Sequence, residues 1–392
     1  MEFWSLLTVA SMPILQMLII SLLGAFIATD YLNLLSSDAQ KSINKIVFVV
    51  FTPSLVFGSL AKAVSFQDII SWWFMPINIG ITYLVGGSFG WIAVKLLRPK
   101  PHLQDLIIAM CSSGNLGNIL LMIIPAICKE DGNPFGDKIV CTNDGLSYNS
   151  LSMALGIFYL WTFTYHLIRR SGAKYEAMLV ASKEPNTDLE TNDENSLLLN
   201  GAEHVHTSST SDNNTRTKIL RILHRIGEEL KTPPILAAIL GIIFGAVTWL
   251  QNLIIGVNAP LRVVNDSIQL LGNATIPCTT IVLGGSLTQG VQNSRLKSGD
   301  VIAVIFVRYI ILPAVGIFVV KAASHLGFIP SDPLFHFVLL IQFTLPPATN
   351  IGTMTQLFDV AKEECALLFL WTYLVAALAL TGWSSVFMWI LS

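Results

Sequence analysis

The sequence predicts an all-α polytopic membrane protein whose ten transmembrane helices form two inverted five-helix repeats, with helices four and nine broken and crossed. Three observations predict it. The 392 residues are 53% hydrophobic and only 12% charged, against about 25% charged in an ordinary soluble domain, so polar surface is too scarce to enclose a water-soluble globule. Ten apolar runs of about 20 residues, the length that crosses a bilayer, fall five on either side of a charged central segment. Finally, GNLGN at 114–118, inside the fourth run, is answered by LPPATNIGT at 345–353, inside the ninth.

The first five runs are 7–28, 43–62, 69–97, 103–127 and 146–168. MEFWSLL carries an acid and no base ahead of the first, and that run is long enough to span, so it reads as a transmembrane helix and not a cleaved signal. Residues 171–231 differ in kind, holding 17 of the 48 charged residues. Within them, 184–212 is rich in Ser, Thr and Asn, with seven acids and no Lys or Arg. Such a stretch buries no core and is expected to be disordered. RTKILRILHRIGEELK at 216–231 places Ile219, Ile222, Leu223, Ile226 and Leu230 at helical spacing among arginines. It reads as a basic amphipathic helix on the membrane surface or as a solvated cationic flank. The remaining runs are 234–255, 268–287, 301–323, 335–357 and 365–391. The expected units are therefore 1–170, a central loop at 171–231, and 232–392.

The two sets of five correspond in order. MPIL at 12–15 recurs as PPIL at 233–236, and Pro53 ahead of Gly58-Ser59-Leu60 matches Pro277 ahead of Gly285-Ser286-Leu287. An odd number of helices per repeat requires the halves to be inserted upside down to each other. Of 23 Lys and Arg, 17 lie in loops after odd-numbered runs, five after even-numbered ones, and Arg308 lies within a run. The positive-inside rule then makes the central loop cytosolic and sends both termini to the other side. Cys128 and Cys141 flank the loop between runs four and five on that other side, where they are either a disulfide or two free thiols. Cys111, Cys278 and Cys365 read as packing residues, and the sequon Asn213-Asn214-Thr215 falls on the cytosolic side, where it stays unglycosylated.

Gly and Asn in mid-run weaken a helix and present polar groups that lipid cannot satisfy, so the breaks must be buried in protein or line a wet cavity. Broken segments at matching positions of two halves point to a carrier's substrate site. The half-helices beginning near Ile119 and Asn350 would aim first-turn N–H groups and positive dipole ends at one gap, favouring a carboxylate. Asn115, Asn118, Thr349 and Asn350 offer hydrogen bonds around it. Pro346 and Pro347 stop the ladder on one side, while Gly117 and Gly114 admit close approach on the other. The alternative is that small residues merely allow tight helix packing.

Arg308, central in its run, costs about 3 kcal/mol or more unless it meets a cavity or partner. It either binds a helix C-terminus at the break, attracts the anion, or links helices structurally. Pro53 and Pro277 kink their helices, either to make room for the crossing or simply to pack. No Asp or Glu falls mid-span, which speaks against a carboxylate proton relay, and His166 reads as interfacial. Phosphate-binding loops, zinc spacings and triad orders are absent, so no enzyme chemistry, cofactor or metal is expected. There is no basic surplus for nucleic acid. The partners this reading admits are a small organic anion, the lipid bilayer and a second copy of the chain.

MEFWSLLTVASMPILQMLIISLLGAF at the N-terminus, GNLGN, the mid-length central loop and LPPATNIGT together resemble the plant PIN-LIKES (PILS) family of the auxin efflux carrier superfamily. The resemblance implies a ten-helix, two-repeat carrier in the endoplasmic reticulum that moves auxin, chiefly indole-3-acetic acid, between cytosol and lumen and limits what reaches nuclear signalling. The related PIN proteins carry an Asn-Pro-Asn type motif at the crossing. Here Leu116-Gly117-Asn118 and Pro346 to Asn350 take those places without reproducing it. Two other readings stay open: a cation- or proton-coupled antiporter on the same fold, and a membrane sensor that binds auxin without moving it.

Overall fold

The computed structural model describes residues 3–29, 31–32, 34–63, 70–129, 133–181, 232–256, 259–293 and 296–391, with the side chains of 3–14, 63, 118, 121–122 and 287–293 outside the description. The acidic stretch 184–212, the amphipathic segment 216–231 and the sequon at Asn213 lie outside the described residues. Among those described, the chain is helical throughout and forms no strand, only one isolated bridge.

The helices are α1 (Phe3–Ile27), α2 (Ser37–Lys62), α3 (Phe74–Leu97), α4 (Pro101–Ser112), α5 (Asn118–Lys129) and α6 (Lys138–Ala181). After the central segment come α7 (Pro233–Ala246), α8 (Thr248–Ile254), α9 (Arg262–Asn273), α10 (Thr275–Asn293), α11 (Ser298–His325), α12 (Pro333–Ile341), α13 (Asn350–Leu357) and α14 (Lys362–Leu391). Among the described residues α2, α3, α6, α11 and α14 are long and apolar enough to cross a membrane unaided, and α7 with α8, bent by 104° between them, would make a sixth span. Of the remaining apolar runs, the first is the single 25-residue helix α1, and the others are divided into shorter helices, so that length alone does not mark those as spans. The protein is thus a mostly helical, multi-pass membrane protein. α6 is one continuous helix of 44 residues, reaching to Ala181. At 1.5 Å per residue it is roughly twice as long as the hydrocarbon core is thick, so it projects well into water and carries helix past residue 171.

Local chemistry fixes the ends. Asp137 caps α6, its side chain accepting from the N–H groups of Ile139 (2.9 Å) and Val140 (3.1 Å). Asp332 caps α12 by accepting from Leu334 N–H (2.9 Å), and its other oxygen accepts from Tyr148 Oη at 2.6 Å. Pro101 and Pro333 stand in first turns, where a missing N–H costs nothing. Pro53 follows a π-helical turn over Val47–Phe51, and Pro277 is the third residue of α10, just past the junction at Ala274. Two further π turns, Leu160–Thr164 in α6 and Val307–Ile311 in α11, have no counterpart in the sequence reading.

Close packing relies on glycine where backbones touch. A Cβ on Gly284 would strike the Ser21 carbonyl and one on Gly24 the Ile281 carbonyl, so α1 and α10 lie in main-chain contact. The deepest part of the core is the stretch running through α12 and past it. Phe335, Phe337, Val338, Leu339, Ile341, Phe343 and Leu345 are all fully buried. A disulfide joins Cys128, at the end of α5, to Cys141, at the start of α6.

Candidate functional site

The chain leaves helix at 113–117, between α4 and α5, and again at 342–349, between α12 and α13. These interruptions lie against each other. Gly114 and Pro347 form an antiparallel bridge, with Asn115 N–H donating to Pro346 O (2.8 Å) and Ala348 N–H donating to Ser113 O (2.9 Å). Main-chain groups that lipid would leave unpaired thus pair with one another, which meets the demand that irregular backbone in a membrane be satisfied by protein. The prolines contribute by what they lack. Pro346 and Pro347 have no N–H to satisfy, so only their carbonyls need partners.

Arg308 supplies several of those partners. Its side chain is buried, and four hydrogen bonds run from it to main-chain carbonyls: Nε to Leu345 O (3.0 Å), Nη1 to Cys111 O (3.1 Å), and Nη2 to Leu345 O and to Pro346 O (3.3 Å). The planar guanidinium therefore ties the C-terminal end of α4 to the segment following α12, where carbonyls are orphaned and the dipole ends are negative. It is a helix-end clamp, the first of the roles the sequence left open. The clamp explains Gly114, since a Cβ there would lie 2.7 Å from Nη2. Gly117 is less constrained, facing the flexible Met153 side chain at 3.3 Å.

Two residues absent from the sequence reading complete the joint. Tyr373 of α14 donates from Oη to Pro347 O (2.9 Å) and accepts from Asn115 Nδ2 (2.9 Å). Ser113 Oγ bonds Thr164 Oγ1, which the π turn of α6 presents. Arg308 likewise sits in the π turn of α11. Both turns place a side chain at the crossing, in keeping with the frequent use of such bulges at functional sites. A further buried cluster, Asn78 Nδ2 to Gln342 Oε1 (2.8 Å) and Gln342 Nε2 to Ser152 Oγ (2.7 Å), joins α3 and α6 to the turn after α12. Its signal in the sequence is a pair of amides, Asn78 and Gln342, inside apolar runs.

Beside the joint lies a cavity of about 60 Å³. Gly114, Asn115 and Gly117 border it from one interruption, Thr349 and Asn350 from the other, and Leu55 of α2 with Thr275 and Thr279 of α10 close the far side. Thus five residues singled out in the sequence meet around one space. Asn118 opens α5, Asn350 opens α13, and Pro346 and Pro347 are buried in the bridge. The positive ends of two dipoles stand at this cavity, and in α13 the Ile351 and Gly352 N–H groups already donate to Ala348 O (3.0 Å) and Thr349 O (3.0 Å). The volume admits a few waters and is well below the roughly 300 Å³ at which small-molecule pockets begin, so the structure is closed around its centre.

The family of membrane transport proteins matches residues 9–384. Protein PIN-LIKES 7 of Arabidopsis thaliana is 57% identical over 396 residues, covering all of both chains. The chain belongs to the PIN-LIKES family. PIN-LIKES 5 from the same plant is 53% identical, again over all of both chains, and PIN-LIKES 3 is 39% identical over 98% of this chain and 97% of its own. As a PIN-LIKES membrane transport protein, the chain works in a bilayer on a small-molecule substrate and not as an enzyme.

Proposed function

We propose that this PIN-LIKES protein carries auxin, indole-3-acetic acid, across the endoplasmic reticulum membrane by alternating access, and so regulates the auxin available for nuclear signalling. The observation that carries the reading is the cavity beside the Gly114–Pro347 bridge, bordered by both interruptions. An anionic carboxylate suits it, because the first turns of α5 and α13 bring positive dipole ends to it and Thr349 and Asn350 border it, with Asn115 and Asn118 as the further contacts this reading expects. In this reading the architecture is ten spans in two inverted repeats, 1–170 and 232–392, each with one broken helix. Residues 171–231, which begin with the last turns of α6, lie in the cytosol, both termini are lumenal, and the Cys128–Cys141 disulfide stands on the oxidising side.

Transport then proceeds by relative movement of two walls. α2 and α10 bound the cavity on one side and the crossed helices bound it on the other, so rocking one set against the other widens the 60 Å³ space toward one compartment at a time. Glycine contacts such as Gly24 against Ile281 make α1 and α10 move as one piece. The test is uptake of labelled indole-3-acetic acid into vesicles carrying Asn118→Ala or Asn350→Ala. Both are expected to abolish uptake at unchanged protein abundance, and normal uptake in both removes the site assignment. Binding without uptake in the unsubstituted protein indicates a sensor, and sodium- or pH-driven counter-flow without auxin indicates an antiporter.

A further inference from the structure

A second, much larger hollow lies away from the crossing. It is a groove of about 1060 Å³ between α3 and α6, floored by Tyr83 and Ile108 and lipped by Leu84, Trp91 and Phe163, whose side chains are exposed. Glycine shapes it. Gly86 and Gly90 seat α3 against the Cys111 end of α4, while Gly87, one position on, leaves space in the groove, where an added Cβ would touch only Phe163 (3.5 Å) and Ser112 (4.0 Å).

Its polar groups are already spent. Ser88 Oγ donates to Leu84 O (2.7 Å), Thr162 Oγ1 to Phe158 O (2.8 Å) and Tyr159 Oη to Pro76 O (3.1 Å), so the walls present hydrocarbon chemistry to whatever fills them. The groove runs from Gly80 to Ile92 along α3, roughly 18 Å at 1.5 Å per residue, close to half the thickness of the hydrocarbon core. At its end the character changes to basic. His166 lines it, Lys95 stands 5.6 Å above the Trp91 ring, and Arg169 is exposed one turn beyond His166 on α6. Asp105, on α4, is buried and bound by Arg170 and by Lys174 (2.8 Å).

We propose that this groove is a binding site for one anionic phospholipid, its acyl chain lying along Tyr83, Gly87 and Phe163 and its phosphate held at the Lys95, His166 and Arg169 end. Three properties coincide there: a depth of one leaflet, an apolar lining with no unmet hydrogen bond to offer, and cations at headgroup level, where each basic residue attracts acidic lipid.

The experiment uses the full chain, purified from bilayers of equal phosphatidylserine and phosphatidylcholine and examined by native mass spectrometry after delipidating washes. One retained lipid is expected, phosphatidylserine at least 10-fold over phosphatidylcholine. Gly87→Trp, which fills the groove, should lower retention at least 10-fold. Lys95→Gln with Arg169→Gln, surface changes that leave the core untouched, should keep a lipid bound but bring the phosphatidylserine preference to within 2-fold of unity. No retained lipid in the unsubstituted chain, equal retention in Gly87→Trp with an unchanged melting temperature, or a dimer that Gly87→Trp disperses would overturn the proposal.

Discussion

Gly114 and Arg308 are fitted to each other. The absent side chain of one leaves room in which the guanidinium of the other reaches Leu345 and Pro346. Gly114→Ala would place a methyl 2.7 Å from Nη2, forcing the clamp to move. It should destabilise the protein by about 1–3 kcal/mol through weakened charge-assisted bonds and sharply reduce transport. Gly117→Ala meets only a flexible methionine and should cost less than half as much. Thermal melting of the two variants, side by side, checks the contrast; equal melting points contradict the clamp.

Replacing Arg308 separates charge from geometry. Arg308→Met strands buried carbonyls of Cys111 and Leu345 and should lower stability by about 3 kcal/mol or more. Arg308→Lys keeps the charge, but its three donors leave a single nitrogen and cannot span carbonyls from two helix ends. It should therefore recover only part of the loss. Melting temperature and vesicle uptake together read out both effects, and full rescue by lysine would show that charge alone matters.

Tyr373→Phe removes the hydroxyl shared by Asn115 and Pro347 and nothing else. The expected cost is about 1–2 kcal/mol, small enough for the protein to fold. Uptake should fall out of proportion to stability, since the interruption loses a tether while its main-chain bridge persists. Unchanged uptake would place Tyr373 outside the working parts.

The Cys128–Cys141 disulfide closes a separation of 13 residues. On the chain-entropy account such a loop contributes about 3 kcal/mol. Reduction, or Cys128→Ser, should lower the melting temperature, and thiol labelling of protein taken directly from membranes should find both cysteines protected. Free thiols at these positions would move the α5–α6 loop to a reducing compartment and reverse the topology proposed.

Lys362 at 2.6 Å, aided by Lys41 at 3.5 Å, holds the Asp359 carboxyl below its ordinary range, in a loop after α13 where water reaches it. A depressed carboxylate stabilises the fold above its unfolded value and loses that contribution as pH falls through the lower folded one. The link to α2 through Lys41 should therefore weaken only in acid below the normal aspartate range. Asp359→Asn should abolish that acid-dependent part of the melting curve, an effect kept small by exposure and salt. An unaltered acid limb would remove the link.

Much of this was legible in the sequence. Apolar runs and the paired motifs gave membrane, helix and the two interruptions, because a Gly or Pro in lipid carries an unavoidable main-chain cost. Arg308 was conspicuous for the same reason. What the residues could not disclose was pairing in space. That Asn115 spends its amide on Tyr373 depends on where α14 packs, and that Thr164 turns toward Ser113 depends on a π turn, which leaves no trace in hydrophobic periodicity. Nor could spacing foretell that the main-chain N–H groups of Asn115 and Ala348 would be paired across the two interruptions.

The bridge at Gly114 and Pro347 is made of peptide groups, and the bonds Arg308 makes there also end on peptide oxygens. Thr349, Asn350 and Thr279 border the neighbouring space without entering those bonds. In the proposed reading, a chain so constructed exchanges one cargo for another by altering Thr349, Asn350 or Thr279 while the Gly114–Pro347 joint stays as it was, which makes selectivity the cheapest property of this fold to re-engineer.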